Sequence, residues 1–579
     1  MRRVETSVWM TNSLEDIFFD TVKDTVTRFN RSTDHVIEIA ANARESIQLA
    51  VRAEEGGIYN ANISIQIPEK YKNCGINFEV GSVRPIAAPV NTVWEHEKIY
   101  RCKLPGYLPE SIEPTSMKVT QFTSRSFFIT AVTEKNAIPG EYDFTITLSY
   151  IDGISFEKLE IEYPLQVHIY PAVLPDSASS EYTHAQWVNF CGYSPEIEDI
   201  DLERCNEIIY GIENFSEEWF TLLKNCAKQM KKERINAVFV PLFSLLNHNI
   251  TFDENGKYIF DFTLFDRFLD TFMEYGSVKY FIGCHLLKRK HQTYEYASKD
   301  PEIIANAPLV TWIFEENKGS TNFAWRYLTD ADAWKHLEML VTGIYNHLKE
   351  RGLENKWLQH VSDECDGEER FRMVRDVYDQ IHKWAPSFKN VDATRDTSLE
   401  GYGTSLDIHV PQIDVHEFNL EKYQEFQKKT NCDVWTYTCL NPKNGTMNRM
   451  DDLKLIATRL LHWYNYLFGA NGYLHWAWNL WCYCDEPYSP FNNCESNHFP
   501  LDAWEVLPDV ENLSVFETIR SRTDASGIED YELLKICDRI DHDKTYKLAS
   551  ILINKSNDFT LDSNTFFRVR HHLLEMTKS

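Results

Sequence analysis

Between residues 181 and 481 the chain alternates short runs rich in β-branched and aromatic residues with longer amphipathic stretches, and eight such runs can be counted. They are 181–190 (EYTHAQWVNF), 235–243 (INAVFVPLF), 278–287 (VKYFIGCHLL), 356–363 (KWLQHVSD), 389–394 (KNVDAT), 405–411 (SLDIHVP), 433–439 (DVWTYTC) and 472–481 (GYLHWAWNLW). Between them, Trp334, Leu337, Leu340, Ile344 and Leu348 recur at the three-and-four spacing of one helix face, closed by Gly352. Phe371, Val374, Tyr378 and Ile381 form another such face, stopped by Pro386. Strand and helix in regular alternation predict an α/β fold, a (β/α)8 TIM-like barrel. The connection 395–404 is too short for a full helix, and the excursions 288–330 and 482–515 are expected to build loops over the active face.

The text before this region is different. Asn62 to Ile67 and Tyr142 to Tyr150 alternate apolar and polar residues at period two, with Pro139-Gly140 and Asp152-Gly153 as turns, which predicts an all-β sandwich over 1–175. Pro171 and Pro175 mark a linker, the catalytic barrel is assigned to 176–515, and 516–579 reads as C-terminal helices packed on the barrel.

Lys and Arg number 59 against 87 Asp and Glu, a net charge of −28 that repels phosphate backbones and anionic lipid surfaces, so no nucleic-acid partner is expected. No run approaches the ~20 apolar residues that cross a bilayer, so membrane insertion is not expected. The 13 scattered Cys read as reduced thiols, and with no signal-like opening they suggest a cytoplasmic protein, a trimmed leader staying open. Cys482, Cys484, Cys494 and His498 could close a tetrahedral zinc site, but their spacing is not that of a familiar ligand knuckle; no metal is expected. With no phosphate-cradling Gly loop and no nucleophile elbow, no cofactor is expected either. The sequence does not read out an oligomeric state.

In a barrel, function gathers at the C-terminal ends of the strands. The fourth candidate strand ends in Leu358-Gln-His-Val-Ser-Asp-Glu364, an apolar run leading into two carboxylates. Acids here also suit the positive end of the helix beginning near Gly367, so capping is one reading. The other is glycosidic cleavage, which needs a proton donor for the leaving oxygen and a second group for the developing oxocarbenium ion. Adjacent residues point different ways, so Asp363 and Glu364 would take different roles, and a negative neighbour helps keep an acid protonated.

The pair, with Asn448-Arg-Met-Asp451, Leu461-His-Trp463, Gly472 to Trp481 and Ile528 to Leu533, resembles glycoside hydrolase family 123 over roughly residues 180 to 540. Leu501-Asp502-Ala-Trp departs from the family's Gly-Asp and Tyr-Pro turn, leaving the loop after strand eight open. The resemblance implies a retaining β-N-acetylgalactosaminidase acting by substrate-assisted catalysis on glycans with terminal β-linked N-acetylgalactosamine, such as glycosphingolipid head groups. It implies that Asp363 orients the acetamido N–H and that Glu364 is the general acid and base.

Such a mechanism needs a donor on the acetamido oxygen and an apolar wall for its methyl. Tyr437 as donor and Trp435 as wall share one strand face by period two. On strand eight, Trp478 is the expected sugar platform, with Trp476 as alternative, while His475 and Asn479 lie on the opposite face. His184, Asn236, His285, His360 and His409 are candidates for sugar hydroxyls or hydrogen-bonded structural groups. Two rival readings stay open: a hexosaminidase of family 20 type, which also uses an Asp-Glu pair, and a non-catalytic carbohydrate-binding protein.

Overall fold

The computed structural model describes residues 3–23, 35–88, 91, 97–191, 205–246, 250–289, 308–317, 320–365, 367–395, 398–481 and 502–578. The N-terminal region is β-rich. One five-stranded sheet runs Thr6–Asn12, Arg44–Ala53, Ser124–Thr133, Ile76–Ala88, Gly106–Glu113; the other runs Val36–Ala41, Lys158–Val173, Gly140–Asp152, Ile58–Ile65, Met117–Val119. Period-two alternation turns Phe144, Ile146, Leu148 and Tyr150 of the second sheet into one apolar core with Ile47, Leu49, Val51 and Ile129 of the first.

The remainder is mixed α/β around a nine-stranded, almost closed barrel-like sheet whose ladders are all parallel. Its strands are Thr183–Gln186, Ala237–Val240, Tyr280–Gly283, Trp357–Gln359, Lys389–Thr394, Ile408–Pro411, the two pieces Asp433–Val434 and Thr436–Tyr437, and Gly472–His475. Each falls inside one of the eight runs read from the sequence, and they are called strands one to eight below. The seventh pairs with strand six through its first piece and with strand eight through its second. Trp435, between the pieces, donates its N–H to His409 O at 2.9 Å, drawing the two edges together. Ala185, Ala237, Ile282, Leu358, Val391, Ala393, Ile408, Val410, Trp435, Tyr437 and Leu474 form one apolar cluster within this sheet.

The outer helices follow the sequence pattern. Ala331–Glu350 buries Leu337, Leu340, Ile344 and Leu348, and Gly352 follows it at a φ of +67°, a left-handed conformation glycine adopts without strain. Glu368–Trp384 buries Phe371, Val374, Tyr378 and Ile381. Each fully buried Leu or Ile adds roughly 1.5–3 kcal/mol, so a stripe of four outweighs any local propensity. The short connection after strand five holds the one-turn helix Ser398–Tyr402 and the 3-10 turn Gly403–Ser405, and the described part of the 288–330 excursion pairs into Leu287–Arg289, Leu309–Asn317 and Ser320–Tyr327.

The C-terminal helices pack on the barrel and on the N-terminal sheets together, Ile519–Ile540 lying along the barrel helix Leu455–Phe468. Ile519–Ile540 is buried on nearly every side from Ile519 to Leu534, and Ser563–Met576 lies against it and against the N-terminal sheets. Phe566, Val569, Leu573 and Leu574 join the core of those sheets, while Arg570 and His571 pair with Glu45 at 3.2 Å and Glu38 at 2.7 Å. The last helix thus finds apolar partners in the β-rich region and on the barrel, where Phe566 meets the Trp463 ring at 5.4 Å. Buried Arg459 ties the assembly, meeting Glu45 Oε2 at 2.6 Å and Asp530 Oδ2 at 2.7 Å. Among the described residues no helix is long and apolar enough to cross a membrane.

Candidate active site

The regular ladder of strand four ends at Gln359, and the next five residues cross the C-terminal mouth of the sheet as an irregular turn. Asp392 holds that turn. Its carboxylate accepts the N–H groups of Val361 and Ser362, both at 2.9 Å, and the hydroxyl of Tyr378, and its Oδ1 lies 3.0 Å from His360 Nδ1. The turn then closes on itself: Glu364 sits at a φ of +43° and donates its N–H to Ala393 O at 3.2 Å. A non-glycine residue there costs on the order of 1 kcal/mol and persists because its surroundings impose it.

The two carboxyls end in unlike surroundings. Burial, then the charge of Glu364 and that of Asp392, pushes the Asp363 carboxyl up to about 7 despite Arg289 and Arg395 nearby. Glu364 is gripped by two strands: the Tyr437 hydroxyl donates to Oε1, and Arg395, just past strand five, stands 2.6 Å from Oε2. The N-cap of Glu368–Trp384 is Gly367, so neither Asp363 nor Glu364 is the capping residue of that helix.

Tyr437 and Trp435 do share the inner face, while Thr436 and Thr438 turn away toward Asn465 at 2.8 Å and Tyr473 at 2.5 Å. Only Tyr437 reaches the carboxylates. Trp435 lies a layer deeper, where its indole packs so closely on Gly472 that a Cβ there would meet it at 2.5 Å; it is core and not a wall for a substrate methyl. On strand eight the period-two extrapolation fails because the ladder stops at His475. Trp478 is fully buried, with its N–H 2.7 Å from Glu233 Oε2, so it is no platform. Trp476 is half-buried and its N–H donates to Asp502 Oδ2 at 2.7 Å, which leaves it as the indole available for the role. Asn479 is also structural, clamping Asn189 through both its N–H and its C=O.

The histidines divide into two groups. His360 and His285 stack at 4.4 Å in the mouth, and the Trp187 N–H donates to His360 Nε2 at 3.2 Å. Burial, then His360, holds His285 well below the ordinary imidazole range, so it is neutral at pH 7. The others support the scaffold from outside the sheet. His184 is 3.2 Å from Asp524 on helix Ile519–Ile540 and burial lowers it to about 3; His409 meets Gly403 O at 2.9 Å and burial lowers it to about 4. His475, lowered to about 4 by burial, contacts Asp502 at 2.9 Å and so braces the partner of Trp476. Asn236 is occupied with His184 N, Ser177 O and Tyr182 O.

His285, His360 and Asp392 bring ligand-type atoms within 4.8 Å of one another. Both ring nitrogens of His360 and the whole Asp392 carboxylate are already engaged, so this donor set does not fit a metal. The cysteine loop considered for zinc, Cys482, Cys484, Cys494 and His498, lies outside the described residues. Sequence reasoning missed Trp187, Asp392, Arg395 and Gln412, whose amide lies 3.5 Å from the Tyr437 hydroxyl. The signal available was position: Trp187, Arg395 and Gln412 each come directly after a strand, where a barrel presents its functional groups.

A family model described as glycoside hydrolase 123, catalytic domain, matches residues 203–537. Among solved structures, a family 123 glycoside hydrolase from Clostridium perfringens, described in terms of glycolipid glycan hydrolysis, is similar at a TM-score of 0.71 and 13% identity, over 99% of this chain and 97% of that one. That likeness shows the fold. A bacterial Ig-like domain containing GH10 xylanase from termite gut overlaps at only 0.32 and 10% identity, over 86% of this chain and 100% of that one. Comparison with curated protein sequences gave no match.

Proposed function

Because the chain belongs to glycoside hydrolase family 123, we propose that it releases terminal β-linked N-acetylgalactosamine from oligosaccharides, such as glycosphingolipid glycans, with retention of configuration. In this reading 176–515 is a (β/α)8 catalytic barrel, 1–175 a β-sandwich and 516–579 a helical segment packed on the barrel. The observation that carries the proposal is the pair itself, two adjacent carboxyls in unlike surroundings at the mouth of a parallel sheet.

The chemistry follows from the pair. The substrate's 2-acetamido oxygen attacks the anomeric carbon as the bond to the leaving oxygen breaks, giving an oxazolinium ion. Asp363, as carboxylate, takes the acetamido N–H and offsets the positive charge, while Glu364 protonates the leaving oxygen and then deprotonates the attacking water. Tyr437 is the nearest hydroxyl to the pair and would donate to the acetamido oxygen; Trp476, fixed by Asp502, would carry the apolar face of the sugar.

Paired chromogenic N-acetylgalactosaminides and N-acetylglucosaminides test the sugar, and preference for the second would move the assignment to a hexosaminidase. A thiazoline analogue of the cyclised acetamide tests the mechanism, since it gathers stabilisation meant for the transition state. Strong inhibition by it, with indifference to a fluoro-sugar that traps covalent intermediates, is expected. The reverse pattern would make Asp363 a direct nucleophile.

A further inference from the structure

The functional reading above needs a Glu364 carboxyl open to the leaving oxygen, yet both of its oxygens are engaged. Arg395 stands 2.6 Å from Oε2, and the Tyr437 hydroxyl donates to Oε1. Arg395 also lies within hydrogen-bonding reach of Tyr437, so cation, phenol and carboxylate form one closed set. Asp363, by contrast, faces the charges of Glu364 and Asp392, which with burial push its carboxyl up to about 7. While Arg395 and Tyr437 hold Glu364, neither of its oxygens is open to a leaving group.

The two sides of the contact differ in mobility. The Glu364 side chain is 19% exposed and its backbone is pinned by Ala393, whereas the Arg395 side chain is 51% exposed and follows the last residue of strand five. A long, half-solvated guanidinium can leave at little cost, and the carboxylate cannot.

We propose that Arg395 is a clamp displaced by substrate: in the protein alone it occupies Oε2 of Glu364, and a seated glycan pushes it aside so that Glu364 can take up and deliver the proton the leaving oxygen requires. The proton comes from Asp363; its O–H bond breaks, an O–H bond forms on Glu364, and Asp363 is left as the carboxylate that receives the acetamido N–H. Charge and proton number of the pair are unchanged. Arg395 is thus a positioning residue, one that stops the acid from being armed before a sugar is in place. The inference rests on the proposed function, and it adds a control step to the same site.

Among the described residues the other groups facing the pair and its clamp are Arg289 and Asp392 beside Asp363, Cys439 beside Glu364, and Asp414 near Arg395. These are common to wild type and variant, so a change at Arg395 is read against a constant background. The pH dependence of kcat/KM reports the free enzyme and that of kcat the complex. With an oligosaccharide bearing terminal β-N-acetylgalactosamine and an unactivated leaving group, Arg395→Gln should raise the alkaline limb of kcat/KM by about one pH unit, the size expected on losing an adjacent opposite charge. Arg395→Lys should restore it, and the alkaline limb of kcat should stay put in both. Movement of both limbs means that Arg395 remains on Glu364 in the complex, and movement of neither means that it does not hold the pair; either outcome overturns the clamp. Wild-type protein that cleaves no N-acetylhexosaminide at all counts against the proposed function instead. In that event a carbon-13 titration of the Asp363 carboxyl still decides the resting contact: an upward shift in Arg395→Gln supports it, and an unchanged midpoint overturns it.

Discussion

Asp392 on the fifth strand accepts the backbone N–H of Ser362 at 2.9 Å, one residue ahead of Asp363. A buried carboxylate on one strand thus fixes the chain that carries the candidate acids on its neighbour. Replacing Asp392 with Ala would leave the N–H groups of Val361 and Ser362 and the hydroxyl of Tyr378 without their acceptor. We expect a loss of about 3 kcal/mol in urea unfolding, from the cost of stranding buried donors. Turnover should fall further than stability does, and Asp392→Asn, which keeps one acceptor, should sit between. A variant with full activity would show that the turn holds itself.

Asp363 gives a pH-dependent prediction with a definite sign. Its carboxyl lies at about 7 in the folded protein against an ordinary 3.8, because burial and then Glu364 penalise the charge. The folded state therefore binds this proton more tightly than the unfolded chain. The resulting stability is fully present below about pH 4 and is lost as the pH rises through about 7. Asp363→Asn removes the penalty, so the variant should match wild type near pH 4 and exceed it by about 4 kcal/mol at pH 8. Denaturant midpoints at the two pH values measure this. A gap of the same size at both would place the effect outside titration.

Glu364→Gln keeps the shape of the side chain and cannot give a proton. Cleavage of oligosaccharides with unactivated leaving groups should drop by about 10³-fold, within the usual range for general acids. An aryl glycoside with a good leaving group should lose far less. Equal losses on both substrates would indicate disturbed binding and not missing acid catalysis.

The two indoles of strand eight should separate cleanly. Trp476→Ala should raise KM about tenfold through lost contact with the sugar, at little cost to folding, because its ring is only half-buried. Trp478→Ala should leave a large void and strip Glu233 of its indole donor, costing about 3–5 kcal/mol. Steady-state kinetics and thermal unfolding on both variants test the assignment; a raised KM for Trp478→Ala with intact stability would reverse it.

The sequence by itself determined the eight strand positions, the helix faces between them and the place of the Asp363-Glu364 pair after the fourth strand. Those features are local: periodicity of two or 3.6, turn residues, and a strand end that must lie at the mouth of a parallel sheet. It also put Trp435 and Tyr437 on one face and Thr436 and Thr438 on the other, since parity along a strand is set by the pleat, while which face looks inward is decided by the closed sheet. Only the tertiary structure decided how deep each side chain sits. Trp435 and Tyr437 share a face but differ by a layer, and Trp478 leaves the parity of Leu474 because strand pairing ends at His475. The partners of the pair were equally hidden, as Asp392 and Arg395 come from the neighbouring fifth strand through pairing and Tyr437 from the seventh through the curl of the sheet. Burial and the electrostatics that depend on it are sums over such long-range neighbours, so no local pattern carries them.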